Sequence, residues 1–378
     1  MSQQILTNAR IVLADDILHG TLRLVDGRIA DLSHGVTAVP GAEDCDGDYL
    51  MPGLVELHTD NLEKHLGPRP GVAWPVHSAL TIHDAQVASA GITTVFDALC
   101  IGEDRNSLRA TTLAPSIDAL RHAVAQGHTR VDHWLHLRCE VSSPDVLEQL
   151  ERYLDEPLLK LLSVMDHTPG QRQWMDLEKY RVYSQKHEHW SDERLAQDVA
   201  ERRVLQETHA QRNRRAVVRL AQERGLALAS HDDTTVEHVA EGAVDGVTVS
   251  EFPTTLLAAR AARTAAQAIV MGAPNVVRGG SHSGNVAATE LARAGLLDVL
   301  SSDYVPASLL HAAFMLADEP GWSLPRALAT VTRTPARLVG MDDRGELAPG
   351  LRADVIRVRG TPHTPLVRGV WRAGQRVG

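Results

Sequence analysis

Imidazole and carboxylate side chains recur in this sequence directly after short apolar runs, at positions from which they could hold a metal ion. The run LVEL is followed by His58, Thr59 and Asp60. Because side chains alternate along an extended chain, His58 and Asp60 can project to one side. Four further apolar runs end in residues of the same types: Glu140, Asp166-His167, His231-Asp232-Asp233 and Asp303. Neutral imidazole with carboxylate is a ligand set of divalent ions such as zinc or manganese, so the pattern predicts a metal site.

Each of these residues also has a purely structural interpretation. A single His or Asp after a strand is commonly a helix cap or a hydrogen-bonded turn residue. Asp232 and Asp233 precede TTVEHV and suit the N-cap of a following helix, so the cap stays open for at least one of them. The recurrence at five separate strand ends is what favours the metal site.

The elements that must position these residues are strands alternating with helices. Helical patterns such as residues 115–127 and 234–246 separate the strand candidates. This alternation predicts a (β/α)8 TIM barrel, in which the carboxyl ends of the strands meet at one face and carry the active site. A doubly wound sheet is the competing fold, but no Gly-rich dinucleotide-binding motif follows the first strand. The eight strand candidates are residues 54–58, 92–98, 133–140, 158–165, 226–231, 247–252, 268–273 and 299–303.

Both ends of the chain are β-rich and differ from the middle. We expect residues 1–52 and 341–378 to form one small β-sandwich domain, and residues 53–340 to form the barrel. Residues 172–224 are long, charged and helical in pattern, so we expect an insertion there. A solvated outer helix pair is the favoured interpretation of that insertion, over a lid or a subunit contact.

Composition narrows the class of protein. No apolar run approaches the ~20 residues of a membrane helix, and the N-terminus lacks the basic-then-apolar pattern of a secretory signal. The three cysteines show no CxxC spacing, and the net charge of −10 disfavours a nucleic-acid surface. We therefore expect a cytoplasmic protein with a small-molecule substrate and without nucleic-acid or membrane partners. Whether it forms a homo-oligomer stays open.

The combination of strand-end motifs resembles the amidohydrolase superfamily, and within it a phosphonate-metabolism branch of the carbon–phosphorus lyase pathway. The resemblance runs from about residue 3 to residue 376. It implies a hydrolase that cleaves a ribose 5-triphosphate between its α and β phosphorus atoms and releases pyrophosphate. The motifs that carry it are HTDNLEKH (58–65), PRPGVAWPVHSA (68–79), LHLRCE (135–140), MDHTPGQRQ (165–173), ASHDD (229–233), EFPTT (251–255), MGAPNVVRGGSHSGNVA (271–287) and SSDYVPASLL (301–310).

The resemblance implies two divalent metal ions, with zinc preferred over manganese or magnesium. His58, Asp60 and Asp303 would bind the more buried ion, and Glu140 would bridge the two. His167 and His231 would complete the second site. We expect Asp303 also to accept the proton of the attacking water.

Strand six departs from the commoner superfamily pattern, because it ends in Ser250-Glu251 where a histidine is usual. The usual bridging lysine is also missing, since Lys160 lies too far below the end of strand four. The division of ligands between the ions, and the choice between His167 and Glu251 as a ligand, therefore stay open.

Binding of a triphosphate requires cationic groups, and several basic side chains follow the barrel strands at the predicted active-site face. We expect Lys64 and Arg69 after strand one, Arg172 after strand four, and Arg278 with His282 after strand seven to bind the substrate. Paired glycines in RGGSHSGN would let backbone N–H groups approach a phosphate, although a flexible linker is an equal alternative. Arg138 in strand three is the weakest of these cation candidates, because it shares a strand face with Glu140 and a simple pair with that carboxylate is the alternative.

Two other functions compete with this one. An amidohydrolase acting on a cyclic amide, an N-acyl group or an amino-heterocycle would use the same metal ligands, since fold does not fix substrate. A non-catalytic scaffold would show gaps among the strand-end ligands, and only strand six does.

Overall fold

The computed structural model describes residues 3–102, 107–187, 190–281, 284–360 and 364–378. Its main feature is a ring of eight parallel strands, which pair in chain order from the first to the eighth. Each strand candidate of the sequence overlaps one of these strands, so the predicted barrel is confirmed. The barrel strands are β6 (Leu54–Thr59), β7 (Ile92–Ile101), β8 (Asp132–Glu140), β9 (Leu159–Met165), β10 (Ala227–His231), β11 (Val249–Glu251), β12 (Ala268–Gly272) and β13 (Val299–Ser301).

Helices cover the outside of this ring. Apolar side chains of the helices pack against the outward-facing residues of the strands, and a smaller apolar cluster around Phe96 fills the interior. The helices are α1 (Asn61–Leu66), α2 (Val76–Ser89), α3 (Leu108–Ala125), α4 (Val146–Tyr153), α5 (Leu177–His187), α6 (Asp192–Arg224), α7 (Val236–Val244), α8 (Leu256–Thr264), α9 (Ala273–Arg278), α10 (Ala288–Arg293), α11 (Ser308–Ala317), α12 (Leu324–Ala329) and α13 (Arg333–Leu338), with a 3-10 turn at Arg172–Trp174.

The first and last barrel strands are joined by polar contacts at the mouth. Thr59 and Asp303 form an isolated parallel β-bridge, and the Thr59 hydroxyl donates a hydrogen bond to the Asp303 carbonyl at 2.7 Å. Glu56, fully buried below them, accepts from the His58 backbone N–H at 2.7 Å and from the Ser302 N–H. Burial raises the pKa of Glu56 to about 7. These contacts fix the chain positions of His58, Asp60 and Asp303 relative to one another.

Strands from both termini form a second sheet of eight strands, as expected from the two β-rich ends. Most of its pairs are antiparallel, and its order is β16-β15-β14-β5-β1-β2-β3, with β4 paired to β1. The boundaries proposed for the two domains stay a prediction. The strands are β1 (Gln3–Val12), β2 (Ile17–Val25), β3 (Arg28–His34), β4 (Glu43–Asp44), β5 (Tyr49–Pro52), β14 (Val355–Arg359), β15 (Leu366–Arg372) and β16 (Gln375–Arg376).

The segment 172–224 is divided between two roles. The second half of α6 packs against α4, β9 and β10 as an ordinary barrel helix, with Val217 and Ala221 buried. The first half of α6 forms a hairpin with α5, and Tyr180 of α5 donates to Asp198 of α6 at 2.7 Å. Within the described ranges, no helix combines the length and the apolar character needed to cross a bilayer.

Candidate metal centre

The predicted strand-end residues meet in one cavity of about 880 Å³ at the carboxyl ends of the barrel strands. His58, Asp60, His167, His231 and Asp303 all line it. They come from strands one, four, five and eight, so residues up to 245 positions apart in the chain share a single space. The structure therefore brings together the metal-ligand candidates that the sequence predicted, with the exception of Glu140.

Two histidines of this cavity share one carboxylate. His58 Nδ1 lies 2.9 Å from Glu251 Oε1, and His231 Nδ1 lies 3.4 Å from Glu251 Oε2. The two rings stack with centroids 5.4 Å apart. Burial lowers the pKa of both His58 and His231 well below its ordinary value. Burial thus favours the neutral form of both imidazoles, in which Nδ1–H can donate to Glu251 and Nε2 is left for a metal ion.

This contact involves the residue at which strand six departs from the common superfamily pattern. Glu251 is buried at the end of β11, where the superfamily commonly has a histidine, and it orients the histidines of strands one and five. The ring of Phe252, the next residue, lies edge-on to both of them, with centroids 5.0 and 5.3 Å away. Glu251 is thus placed to orient the two histidines, and it also forms, with His58 and His136, a group that could hold an ion, so both roles stay predictions.

His167 is oriented in the same way by Glu140. His167 Nδ1 lies 2.9 Å from Glu140 Oε2, and the Ser142 hydroxyl donates to the other oxygen at 2.7 Å. Although burial opposes the charged form, the hydrogen bond to Glu140 raises the pKa of His167. Glu140 was predicted to bridge two ions, but these contacts place it behind His167, and it does not line the cavity. Its geometry favours an orienting role.

Asp232 is a further ligand candidate, which belongs to the strand-end pattern but not to the ligand set that the resemblance implies. Its Oδ2 lies 3.4 Å from His231 Nε2 and 3.8 Å from His167 Nε2, and the three residues form one of the groups that could hold an ion. The N-cap expectation for Asp232 and Asp233 is wrong, because Thr235 caps α7 by accepting from the His238 N–H. Asp233 pairs with Arg172.

The carboxylates on the other side of the cavity also suit a metal ion. Asp60 Oδ1 is buried without a hydrogen-bond partner among the described residues. Burial raises the pKa of Asp303 to about 7, and the charge of Asp60 adds to this rise. Such crowded, unsatisfied oxygens are costly unless a cation neutralises them. Imidazoles and carboxylates clustered in this way together fit divalent metal ions.

Three of the strand ends have unusual backbone geometry. Asp232, Phe252 and Asp303 adopt the left-handed conformation, with φ of 57°, 53° and 51°. Non-glycine residues seldom do so, and such strain concentrates at functional sites. All three lie at the end of a barrel strand, beside the proposed metal ligands.

The predicted substrate-binding residues differ in whether they reach the cavity. Arg278 lines the cavity. Lys64 is exposed and reaches the carbonyl of Tyr304, a cavity residue, whereas Arg69 is exposed on the loop after α1. Arg172 is buried and pairs with Asp233 and Glu241. Because these carboxylates neutralise its charge inside the protein, the structure argues against the predicted contact between Arg172 and the substrate. His282 lies outside the described residues.

Helix α5 forms one wall of the cavity. Lys179 and Tyr183 of α5 line it, together with Trp174 from the preceding turn, and the Trp174 and Tyr183 rings lie 4.9 Å apart. The insertion was expected to be a solvated outer helix pair. That interpretation does not describe the inner face of α5, which lines the cavity. The charge of Lys179 and the aromatic residues around it were visible in the sequence, but no pattern indicated that they face the site.

Comparison with known proteins agrees with this geometry. A family model described as an amidohydrolase family matches residues 85–377. The chain belongs to the amidohydrolase family. Divalent metal ions are typical of this superfamily, and the clustered imidazoles and carboxylates of this amidohydrolase are capable of binding them.

Relatives of this amidohydrolase have several activities. It is 44% identical over 376 residues to the α-D-ribose 1-methylphosphonate 5-triphosphate diphosphatase of Escherichia coli, covering 99% of this chain and 100% of that one. A D-hydantoinase of Streptomyces coelicolor is 27% identical over 179 residues, which are 45% of this chain and 34% of that protein.

Solved structures share the fold. Dihydropyrimidinase from Brevibacillus agri superposes with a TM-score of 0.65 at 14% identity, covering 99% of this chain and 95% of that one. N-acetyl-D-glucosamine-6-phosphate deacetylase from Mycobacterium smegmatis gives 0.66 at 17% identity, covering 99% and 100%. At these identities the likeness concerns the fold of this amidohydrolase and not its substrate.

Proposed function

We propose that the protein hydrolyses α-D-ribose 1-methylphosphonate 5-triphosphate between its α and β phosphorus atoms. The products are the 5-phosphate and pyrophosphate, and the reaction belongs to phosphonate catabolism in the cytoplasm. The observation that carries this proposal is the 44% identity to the Escherichia coli diphosphatase along the whole of both chains. The matches to D-hydantoinases are weaker and cover less than half of the chain.

The donors around the cavity support two divalent ions, zinc in preference to manganese or magnesium. His58, Asp60 and Asp303 would hold one, and His167, His231 and Asp232 the other. Bound divalent ions neutralise phosphoryl charge and lower the pKa of water. Glu251 and Glu140 would keep the histidines in the tautomer that binds metal through Nε2.

The protein groups of the cavity have separate tasks in this reaction. Asp303 accepts the proton of the attacking water and holds that water in line with the phosphorus. Lys179 and Arg278, which also line the cavity, bind anionic oxygens of the substrate. Both cations line the cavity, and no ion pair with a carboxylate is found for either among the described residues, so both charges are available to the substrate.

Comparing two substrates on one metal-loaded preparation tests the proposal. We expect pyrophosphate from the ribose 5-triphosphate and no ring opening of the cyclic amide dihydrouracil. Asp303→Asn should abolish pyrophosphate release while leaving the melting temperature within a few degrees of the wild-type value. Turnover of dihydrouracil without pyrophosphate release would contradict the proposal and favour the cyclic-amide alternative.

A further inference from the structure

Arg138 is a buried cation of the cavity wall for which no ion pair is found among the described residues. It lies two residues before Glu140 on β8, lines the cavity and is 7% exposed. Its Nε is buried and has no hydrogen-bond partner among the described residues. Among the described residues, no carboxylate lies within ion-pair distance of the Arg138 guanidinium.

The expected partner of Arg138 is engaged elsewhere. Glu140 lies on the same face of β8, but its two oxygens accept from Ser142 and from His167. Arg109, which also lines the cavity, donates to Glu63 at 2.8 Å. Arg138 thus differs from Arg109, because the charges of Asp60 and Glu63 act on it only from a distance and no carboxylate of the described residues forms an ion pair with it.

A buried guanidinium with unsatisfied donors is costly unless an anion completes it. Metal ions in the same cavity would add positive charge and increase that requirement. The guanidinium is planar and presents paired donors, which match the oxygens of a phosphoryl group better than those of a neutral amide. The missing anion is therefore best supplied by the substrate.

We propose that Arg138 binds the non-bridging oxygens of the phosphoryl group under attack, as a catalytic residue of the reaction. This inference rests on the proposed function for its substrate, but the anion site itself does not. As water attacks the α phosphorus, the oxygens facing Arg138 keep their negative charge, and the bond to the pyrophosphate oxygen breaks. A fixed cation at this point stabilises the transition state more than the free substrate.

Arg138→Met removes the charge and keeps an apolar side chain of similar length. We expect kcat/KM for the ribose 5-triphosphate to fall by about 100-fold or more, with unchanged metal content. Guanidinium ion added in solution should restore part of the lost rate, because it can occupy the space left by the side chain. Arg138→Lys should restore less than half of the lost activity, since an ammonium lacks the paired donors.

Arg344→Met is the matched control. Arg344 has a similarly buried side chain, 8% exposed, but it pairs with Asp132 at the opposite end of the barrel. We expect this variant to melt at a lower temperature, with unchanged kcat/KM and without rescue by guanidinium. If added guanidinium increased kcat/KM of both variants, or of neither, the proposal would be overturned.

Binding of inorganic phosphate to the metal-loaded proteins separates this inference from the proposed function. Calorimetry should show at least tenfold weaker binding to Arg138→Met than to the wild type and to Arg344→Met. Equal binding by all three proteins would overturn the anion site. Arg138-dependent phosphate binding in a protein that releases no pyrophosphate would support the anion site and remove only the proposed function.

Discussion

At the scale of single residues, Glu251 is placed to orient two histidines of the proposed metal centre. It touches Nδ1 of both His58 and His231, and outer carboxylates of this kind set the tautomer and basicity of metal-binding imidazoles. We expect Glu251→Gln to weaken metal affinity by about 10- to 100-fold. Competition with a chelator, followed by elemental analysis, measures this effect independently of catalysis. Unchanged affinity in a folded variant would mean that Glu251 does not orient the ligands.

The sequence predicted most of these residues, but it did not predict the relations between them. His58, Asp60, His167, His231 and Asp303 were identifiable because each follows an apolar strand, and parallel strands bring their carboxyl ends together. The orienting roles of Glu140 and Glu251 depend on distances between side chains of different strands. Asp232 and Arg172 were misjudged because a polar residue beside a strand end can face either the cavity or a buried partner.

At the scale of elements, a buried polar cluster joins α2 to the outer face of β7 and β8. His133 Nδ1 lies 2.8 Å from Asp97 Oδ2, and His83 Nε2 lies 2.7 Å from Asp97 Oδ1. Burial alone would lower the pKa of His133, but Asp97 and Asp84 outweigh it and raise the pKa to about 9. Burial opposes the charged form of Asp97, but His133 and His83 outweigh it and lower the pKa of Asp97.

This cluster predicts a specific pH dependence of stability. A histidine with a raised pKa contributes stability that is complete below its unfolded value of ~6.5 and is lost as pH rises through about 9. Asp97 acts in the opposite sense, since its contribution is lost only in acid. We expect the free energy of unfolding to decline between pH 6.5 and 9 more steeply in the wild type than in His133→Gln. Denaturant titrations across this range measure the difference, and parallel curves would contradict the assignment.

Helix α5 gives the second prediction at this scale. Lys179 is exposed on the cavity wall, so a phosphate bound there would gain a charge-assisted contact in the ground state and the transition state alike. We expect Lys179→Met to raise KM about tenfold with little change in kcat. Lys160→Met is the control, because Lys160 lies over the Trp134 ring, at 5.3 Å from its centroid, and not in the cavity. A similar KM in both variants would mean that α5 does not contact the substrate.

The strands were the most predictable elements, and α5 was the least. Each barrel strand is a short apolar run between helical patterns, so local sequence defines it. The orientation of α5 depends instead on its hairpin with α6, where Tyr180 contacts Asp198. That contact has no signature in the sequence of either helix.

At the scale of the whole molecule, Asp132 links the barrel to the sheet built from the two termini. It is the first residue of β8, at the end of the barrel opposite the cavity. Its carboxylate accepts from Arg344 at 2.8 Å, and Arg352 and Arg372 lie 2.6 and 3.6 Å from it. The charges of these arginines hold the pKa of Asp132 below its ordinary value, even though burial opposes this.

We expect Asp132→Asn to lower the free energy of unfolding by about 2 kcal/mol, because it leaves several partly buried guanidinium groups without their shared anion. KM and kcat should not change, since the catalytic cavity lies at the other end of the strands. Thermal unfolding and steady-state kinetics on one preparation check both parts. A change in KM without loss of stability would show that the two ends of the barrel are coupled.

The central claim is that water attacks the α phosphorus of a ribose 5-triphosphate. Phosphorus NMR of a single reaction run in ¹⁸O-enriched water tests it most directly. The predicted result is unlabelled pyrophosphate together with a ribose 5-phosphate whose phosphorus signal carries the isotope shift. Orthophosphate as the first product, or label in the pyrophosphate, would contradict the account.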